Sequence, residues 1–278
     1  MISEKGKNRM IKMIALDLDN TLLNSDKEIS ARNEQVLRRL HDQGIHVVLC
    51  TGRPINAIWP YIEQLGLTRP DDFTITFNGG LVINNVTKEH LFELGMAKQD
   101  LQPLFDFVRQ EKIPLDVLDF ARVYELSDQP VSIYRTVLKH IEFQNTKMAD
   151  LPDTTFSKAV MAIPADQLAP IIAHLPEELK EHYHAVQSQK MIMEFLPKQV
   201  DKHVGLKALL DHFGDDFTNL MAFGDADNDL GMIKAATQGV VMANGLPEVK
   251  AAATALTDSN DEDGVATYCE RYFADQLN

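Results

Sequence analysis

The chain has 278 residues, 45% of them hydrophobic, which suits a globular protein with one large core, or with a core and a second lobe. The formal net charge of -14 at pH 7 argues against a nucleic-acid partner, because a phosphate backbone requires a basic patch that no segment supplies. No apolar stretch approaches the ~20 residues of a membrane helix, and the two cysteines lack the spacing of a zinc site, so we expect a cytoplasmic protein without a membrane partner.

The first part of the chain alternates strand-like and helix-like segments. Residues 1–10 lack an apolar pattern, and we expect a disordered extension there. An apolar strand, a helix from about Ser30 to Gly44 and a second apolar strand at residues 45–50 follow. Pro54 predicts the first turn of another helix, which Gly66 ends before a third strand-like run. Such alternation is typical of a parallel sheet.

The pattern changes after the sequence Asn78-Gly79-Gly80 and changes back near residues 191–196. In between, short β-like runs separated by helix-like stretches predict a separate α+β lobe. We therefore predict a core formed by residues 1–84 and 195–278, with an inserted α+β domain at residues 85–194. The predicted fold class is α/β, with a Rossmann-like parallel-sheet core.

Two aspartates, Asp17 and Asp19, stand where the first apolar strand ends. Ligands of open α/β sheets bind beyond the carboxyl ends of the strands, so these carboxylates suit chemistry more than packing. The alternative is a helix cap or a turn, which a single Asp-x-Asp would favour. Three further segments favour the functional interpretation.

The first of these is Thr51-Gly52, which ends the second strand immediately before a helix, where an anion binds well, although helix capping explains the pair too. The second is residues 224–229, whose acids follow an apolar strand and repel one another unless a cation is bound. The third is Lys202, which begins an amphipathic helix and opposes its dipole unless an anion lies nearby. Together these segments predict an anion site beside a metal site.

The ordered set of motifs resembles the signature of the haloacid dehalogenase superfamily. Asp17-Leu-Asp-Asn-Thr-Leu-Leu matches its first motif, Thr51-Gly-Arg its second, Lys202 its third, and Gly224-Asp-x-x-Asn-Asp its fourth. Any one of these motifs is weak, whereas the ordered set covers nearly the whole chain and is highly specific.

The segments between and after the motifs extend the resemblance. The insertion before Lys202 is similar to the α/β (type IIB) cap of the Cof-type phosphatases, as are the tail segments 241–245 and 259–264. The chain departs from the residues more usual in the family at Asn20, Gly80 and Gly245, none of which is a catalytic carboxylate.

The resemblance implies a Mg²⁺-dependent phosphatase that forms an aspartyl-phosphate. It makes Asp17 the nucleophile and Asp19 the general acid and base. The implied metal ligands are Asp17, the backbone carbonyl of Asp19, and Asp225, with Asp229 orienting a metal-bound water.

The resemblance also assigns the phosphate group to four residues, which are Thr51, Gly52, Lys202 and Asn228. The implied substrates are small phosphorylated metabolites such as sugar phosphates. For Arg53, contact with the substrate and pairing with a neighbouring acid are equally open.

Two alternative functions remain beside the phosphatase. One is a phosphomutase of the same superfamily, which hands the phosphoryl group to another hydroxyl. The other is a non-catalytic binding or regulatory module that keeps the fold and the metal site. Retention of Asp19 argues against the module, because a pure binder needs no acid beside the nucleophile.

Overall fold

The computed structural model describes residues 10–138 and 141–277, so the predicted disordered extension falls almost entirely outside the described residues. The chain divides into two compact units, one formed by Met1–Phe92 with Asp201–Asn278 and the other by Glu93–Val200. Among the described helices, none combines the length and the apolar character that crossing a membrane requires.

The first unit begins with strands and helices in alternation. They are β1 (Met13–Leu16), α1 (Ala31–Asp42), β2 (His46–Leu49), α2 (Trp59–Leu65), β3 (Phe73–Thr76), β4 (Leu81–Asn84) and β5 (His90–Glu93). Ser30 caps α1, because its hydroxyl accepts a hydrogen bond from the amide of Asn33 at 3.1 Å. Gly66 ends α2 in the left-handed conformation, with a φ of 69°. Both helix ends therefore follow from local sequence.

The helix predicted from Pro54 is broken into two pieces. Ile55–Ala57 forms a single 3-10 turn, and α2 begins only at Trp59. Pro60 lacks an amide hydrogen, so a continuous helix from Pro54 would lose a hydrogen bond at that position. As the second residue of α2, Pro60 needs no such bond.

The second unit is built around one mixed sheet. Its elements are α3 (Gln102–Glu111), β6 (Asp116–Leu118), β7 (Arg122–Leu126), α4 (Tyr134–Val137), β8 (Glu142–Thr146), β9 (Lys158–Ala162), α5 (Ala165–Ala173), α6 (Glu177–His182), β10 (Tyr183–Gln189) and β11 (Ile192–Pro197). The described strands lie in the order β10-β11-β9-β6-β7-β8, antiparallel except for the parallel pair of β7 and β8. Apolar side chains of α3, α5 and α6 pack into one core with the sheet.

The chain then returns to the first unit. The remaining elements are α7 (Lys202–Phe213), β12 (Leu220–Gly224), α8 (Leu230–Ala235), β13 (Gln238–Val241), α9 (Pro247–Ala252), β14 (Ala255–Leu256), α10 (Gly264–Tyr272) and α11 (Ala274–Leu277). The central sheet has the order β14-β13-β12-β1-β2, and its pairs are parallel. Every residue of β1 is buried, as expected of a strand covered on both faces. The predicted α/β fold with a parallel central sheet is confirmed.

The boundaries between the two units fall at other positions than the sequence pattern predicts. β5 belongs to the same three-stranded sheet as β3 and β4, so residues 85–92 remain in the first unit. β11 pairs with β10 as far as Pro197, which keeps residues 195–197 in the second unit. Strand pairing across the predicted boundaries at 84/85 and 194/195 is thus the reason for the difference.

Candidate active site

Three neighbouring parallel strands carry polar residues to the same edge of the central sheet. β1 leads into Asp17, β2 into Thr51 and β12 into Asp225. Because β1 lies between β12 and β2, the carboxyl ends of these strands meet. The amide of Asp17 continues the pairing and donates to the carbonyl of Phe223 at 3.1 Å.

The side chain of Lys202 is fully buried and bridges two aspartates. Its Nζ donates to Oδ1 of Asp17 at 2.5 Å and to Oδ1 of Asp229 at 2.6 Å. Burial would lower the pKa of Lys202, but the two carboxylates outweigh burial and raise the pKa above its usual range. Lys202 therefore keeps its charge at the centre of the cluster.

The carboxylates of Asp17, Asp225 and Asp229 form a group that could hold a metal ion. One oxygen from each lies within 4.8 Å of the others. Burial raises the pKa of Asp17 to about 7, although Lys202 opposes this effect. Burial likewise raises the pKa of Asp225 to about 6. Three ionised carboxylates against one ammonium leave two negative charges uncompensated, which is the charge that a divalent cation neutralises.

Hydrogen bonds fix the orientation of Asp225 and Asp229. Oδ2 of Asp229 accepts from the backbone amides of Asp225 at 2.9 Å and of Ala226 at 3.0 Å. The buried hydroxyl of Thr21 donates to Oδ1 of Asp225 at 2.8 Å. Within the described part of the chain, Oδ2 of Asp17 and Oδ2 of Asp225 accept no hydrogen bond, so these two atoms are available to a ligand.

The carboxylate of Asp19 lies apart from this group. It is 40% exposed and accepts hydrogen bonds from Arg53 at 2.8 and 2.5 Å and from Lys27 at 3.0 Å. Burial opposes ionisation here, but the hydrogen bonds from Arg53 and Lys27 outweigh it and lower the pKa of Asp19. Of the two alternatives for Arg53, the structure thus shows pairing with an acid, and Asp19 is held as a carboxylate.

Asn78 links the segments that carry the residues expected to bind phosphate. Its amide donates to the carbonyl of Thr51 at 3.0 Å, and its Oδ1 accepts from Nδ2 of Asn228 at 3.2 Å. A Cβ at Gly52 would lie only 3.0 Å from the same Oδ1. Asn78 has a φ of 56°, a left-handed conformation that asparagine tolerates better than most residues. The sequence interpretation missed Asn78 and Thr21 as site residues, although both lie within motifs that it quotes.

Close backbone approach at two glycines shapes the site. Gly79 has a φ of 97°, and a Cβ there would lie 2.0 Å from the carbonyl oxygen of Asp201, the residue before Lys202. A Cβ at Gly224 would lie 2.5 Å from the Cβ of Asp229. These close approaches fix the position of the first turn of α7, which contains Lys202, and of the loop after β12, which contains Asp229.

A family model described as haloacid dehalogenase-like hydrolase matches residues 14–268, and the chain belongs to this family. A protein of Bacillus subtilis (strain 168) named "Putative phosphatase YxeH" is 33% identical over 262 residues, which cover 92% of this chain and 96% of that protein. The 5-amino-6-(5-phospho-D-ribitylamino)uracil phosphatase YwtE of the same organism is 31% identical over 299 residues, covering 96% of this chain and 98% of that protein. A solved haloacid dehalogenase-like hydrolase from Bacteroides thetaiotaomicron is 33% identical, with a TM-score of 0.80, and covers 95% of this chain and 100% of its own.

These findings confirm the resemblance to the Cof-type phosphatases that the motifs indicate. They also confirm the prediction of an enzyme, a hydrolase of the phosphatase type.

Proposed function

We propose that the protein is a Mg²⁺-dependent phosphatase that hydrolyses small phosphorylated metabolites, such as sugar phosphates, through an aspartyl-phosphate. The observation that carries this proposal is the buried contact of Lys202 with both Asp17 and Asp229. A carboxylate repels a phosphate dianion strongly in a water-poor site. A fixed ammonium beside Asp17 offsets this repulsion and lets the two anions approach each other.

The donor set fits Mg²⁺, which prefers oxygen ligands and keeps several waters. We assign Asp17 and Asp225 as ligands, because each has a carboxylate oxygen without a hydrogen bond from the described residues. The backbone carbonyl of Asp19 is the third protein ligand in this proposal. Both oxygens of Asp229 already accept hydrogen bonds. We therefore assign Asp229 not as a ligand but as the residue that orients a metal-bound water. The bound ion supplies charge neutralisation for the phosphoryl oxygens.

Asp17 and Asp19 divide the covalent chemistry between them. Asp17 attacks phosphorus, the bond from phosphorus to the ester oxygen breaks, and Asp19 gives its proton to the departing alkoxide. Asp19 then takes a proton from water, which attacks the phosphorus of the aspartyl-phosphate and releases inorganic phosphate with regeneration of Asp17. Because Asp19 is paired with two cations in the structure, it must separate from at least one of them to receive a proton.

Four residues hold the phosphoryl oxygens in this proposal, namely Thr51, Gly52, Lys202 and Asn228. Support comes from their common attachment to one edge of the sheet and to the loop that contains Asn78 and Gly79. Electrostatic positioning of this kind does most of the work in phosphoryl transfer. The named substrate of YwtE, a phosphorylated ribitylaminouracil, supports small organic phosphate esters as the substrate class.

Release of inorganic phosphate from a panel of phosphorylated metabolites tests the proposal. Wild type is compared with Asp17→Asn, in Mg²⁺ and in chelator. Asp227→Asn is the matched control, because Asp227 lies exposed in the same acidic loop as Asp225. We expect Mg²⁺-dependent release by wild type and by the control, and none by Asp17→Asn. Transfer to a second hydroxyl without release would favour the phosphomutase, and binding without either reaction would favour the non-catalytic module.

A further inference from the structure

The turn between β13 and α9 contacts both loops that carry the site, although the proposed function gives it no role. Nδ2 of Asn244 donates to the carbonyl of Asn20 at 2.8 Å. Two residues later, the amide of Leu246 donates to the carbonyl of Asp225 at 2.8 Å. The turn therefore links the loop after β1 to the loop after β12.

A second asparagine orients the first. The backbone amide of Asn260 donates to Oδ1 of Asn244 at 3.1 Å, which directs Nδ2 of Asn244 towards Asn20. Asn260 is only 6% exposed, and its own Nδ2 donates to the carbonyl of Leu23 at 3.0 Å. Two asparagine side chains thus hold two carbonyls of the loop that begins at Asp17.

The carbonyl of Asn20 lies between Asp19 and the residue that supports Asp225. Asn20 directly follows Asp19 and has a φ of 60°, an uncommon conformation for a residue other than glycine. Its carbonyl shares a peptide plane with Thr21, whose hydroxyl donates to Oδ1 of Asp225. Rotation of this one peptide would therefore displace the backbone of Asp19 on one side and the support of Asp225 on the other.

We propose that Asn244 is a positioning residue for phosphoryl transfer. By holding the Asn20 carbonyl, it fixes the backbone that carries Asp19 relative to Asp17. This inference rests on the proposed function, in which Asp19 protonates the leaving group. The Lys202 ion pairs involve neither Asn244 nor Asn260, so loss of Asn244 leaves these two ion pairs in place and misplaces the acid.

The dependence of kcat on the leaving group distinguishes this positioning role from a purely structural role. An aryl phosphate departs as a stabilised phenolate and needs little protonation, whereas an alkyl phosphate depends on the acid. A misplaced Asp19 therefore slows an alkyl phosphate more than an aryl phosphate. General loss of folded protein slows both substrates by the same factor.

The test compares Asn244→Ala with Asn33→Ala. Asn33 is buried, and its Oδ1 accepts from the amide of Ala266 at 2.9 Å, a hydrogen bond between α1 and α10 that involves neither Asn20 nor Asp225. Values of kcat and KM are measured for p-nitrophenyl phosphate and for the alkyl phosphate that wild type hydrolyses fastest. The measurements are made at saturating Mg²⁺ and below the unfolding temperature of each variant.

We expect kcat for the alkyl phosphate to fall about tenfold or more in Asn244→Ala, with a smaller fall for the aryl phosphate and little change in KM. In Asn33→Ala, the ratio of the two kcat values stays at that of wild type. Asn244→Asp is the second variant, because it keeps the acceptor for Asn260 and replaces the donor to Asn20 by an acceptor that carries a negative charge. We expect the same change in the ratio.

An unchanged kcat ratio in both Asn244 variants would overturn the positioning role. Absence of phosphate release by wild type is a different result, which would refute the proposed function and this inference together. The two failures are therefore distinguished by the activity of wild type alone.

Discussion

Lys202 and Asp17 form a buried ion pair in which Nζ and Oδ1 are 2.5 Å apart, although the two residues belong to distant parts of the chain. The same ammonium also contacts Asp229. The nucleophile of the proposed reaction is thus held by a charge that its own strand does not supply. The first prediction concerns the removal of this charge.

Replacement Lys202→Met leaves Asp17 and Asp229 buried without a counter-charge. Breaking a buried ion pair by removing one partner costs about 3 to 5 kcal/mol, and we expect a loss of this order in the free energy of unfolding without Mg²⁺. Urea unfolding in chelator measures the loss, and phosphate release should be abolished. Lys158→Met, which removes the partner of Glu194 in the second unit, is the reference for a largely buried lysine outside the site, since the side chain of Lys158 is 13% exposed. A Lys202→Met protein as stable and active as wild type would refute the role of the pair.

The raised pKa values of Asp17 and Asp225 predict how stability depends on pH. Their ordinary value is 3.8, and burial raises the pKa to about 7 for Asp17 and about 6 for Asp225. Between pH 3.8 and these raised pKa values, the folded chain binds more protons than the unfolded chain. The contribution of both groups to stability therefore falls as pH rises. In chelator, we expect the unfolding temperature of wild type to fall more between pH 4 and pH 7 than that of Asp225→Asn.

Saturating Mg²⁺ should remove this difference, because the proposed metal site binds Mg²⁺ through the ionised carboxylates of the folded chain. Burial raises the pKa of Asp116 in β6 to about 6 as well, but Asp116 belongs to the second unit. The contribution of Asp116 to the pH dependence of stability should therefore be the same with and without Mg²⁺. Equal pH dependence for wild type and Asp225→Asn in chelator would contradict the prediction.

Neutral replacements of Asp17 and Asp19 should separate the nucleophile and acid roles that we propose for them. Asp17→Asn removes the nucleophile, so no turnover is expected, while loss of a buried carboxylate with a raised pKa should leave the fold intact. Asp19→Asn removes the acid, and kcat should fall about 100-fold or more. Steady-state kinetics and circular dichroism measure both effects. Wild-type turnover in either variant would refute the assignment of that residue.

Arg53 should control the ionisation of Asp19. Arg53 donates two hydrogen bonds to this carboxylate and lowers its pKa, so Arg53→Ala should raise the pKa of Asp19 towards the ordinary value. The limb of the profile of kcat/KM against pH that reports Asp19 should move to higher pH. Arg32→Ala, which breaks an exposed pair with Glu270, should leave the profile unchanged. Identical profiles for the two variants would show that Arg53 does not act through Asp19.

Much of the site could be predicted because its parts are local in sequence. An apolar run that ends in polar residues marks the end of a buried strand, and parallel strands bring such ends together. This argument places Asp17, Thr51 and Asp225 at one edge of the sheet. It also predicts the parallel core, whose strands β1, β2 and β12 are short and almost wholly buried.

Other contacts depend on packing that no spacing reveals. The position of Lys202 follows from the approach of α7 to Gly79, and this approach joins segments separated by the whole second unit. From the sequence, contact with the substrate and pairing with an acid are equally open for Arg53. The choice depends on the three-dimensional distance between its long side chain and Asp19. Pairing of β5 and β11 with other strands similarly decides where the boundaries between the units fall.

Gly79 offers a test of how closely α7 must approach the site. A methyl group there would overlap the carbonyl of Asp201 at 2.0 Å, and the φ of 97° disfavours any side chain. Gly44 has a similar φ of 89°, but a methyl group there would meet no atom within 4 Å, so Gly44→Ala isolates the conformational cost, about 1 to 2 kcal/mol. Gly79→Ala should lose more stability and also lower kcat, because the first turn of α7 must shift and Lys202 shifts with it. Urea unfolding and phosphate release measure the two effects, and equal behaviour of both variants would show that the approach of α7 does not position Lys202.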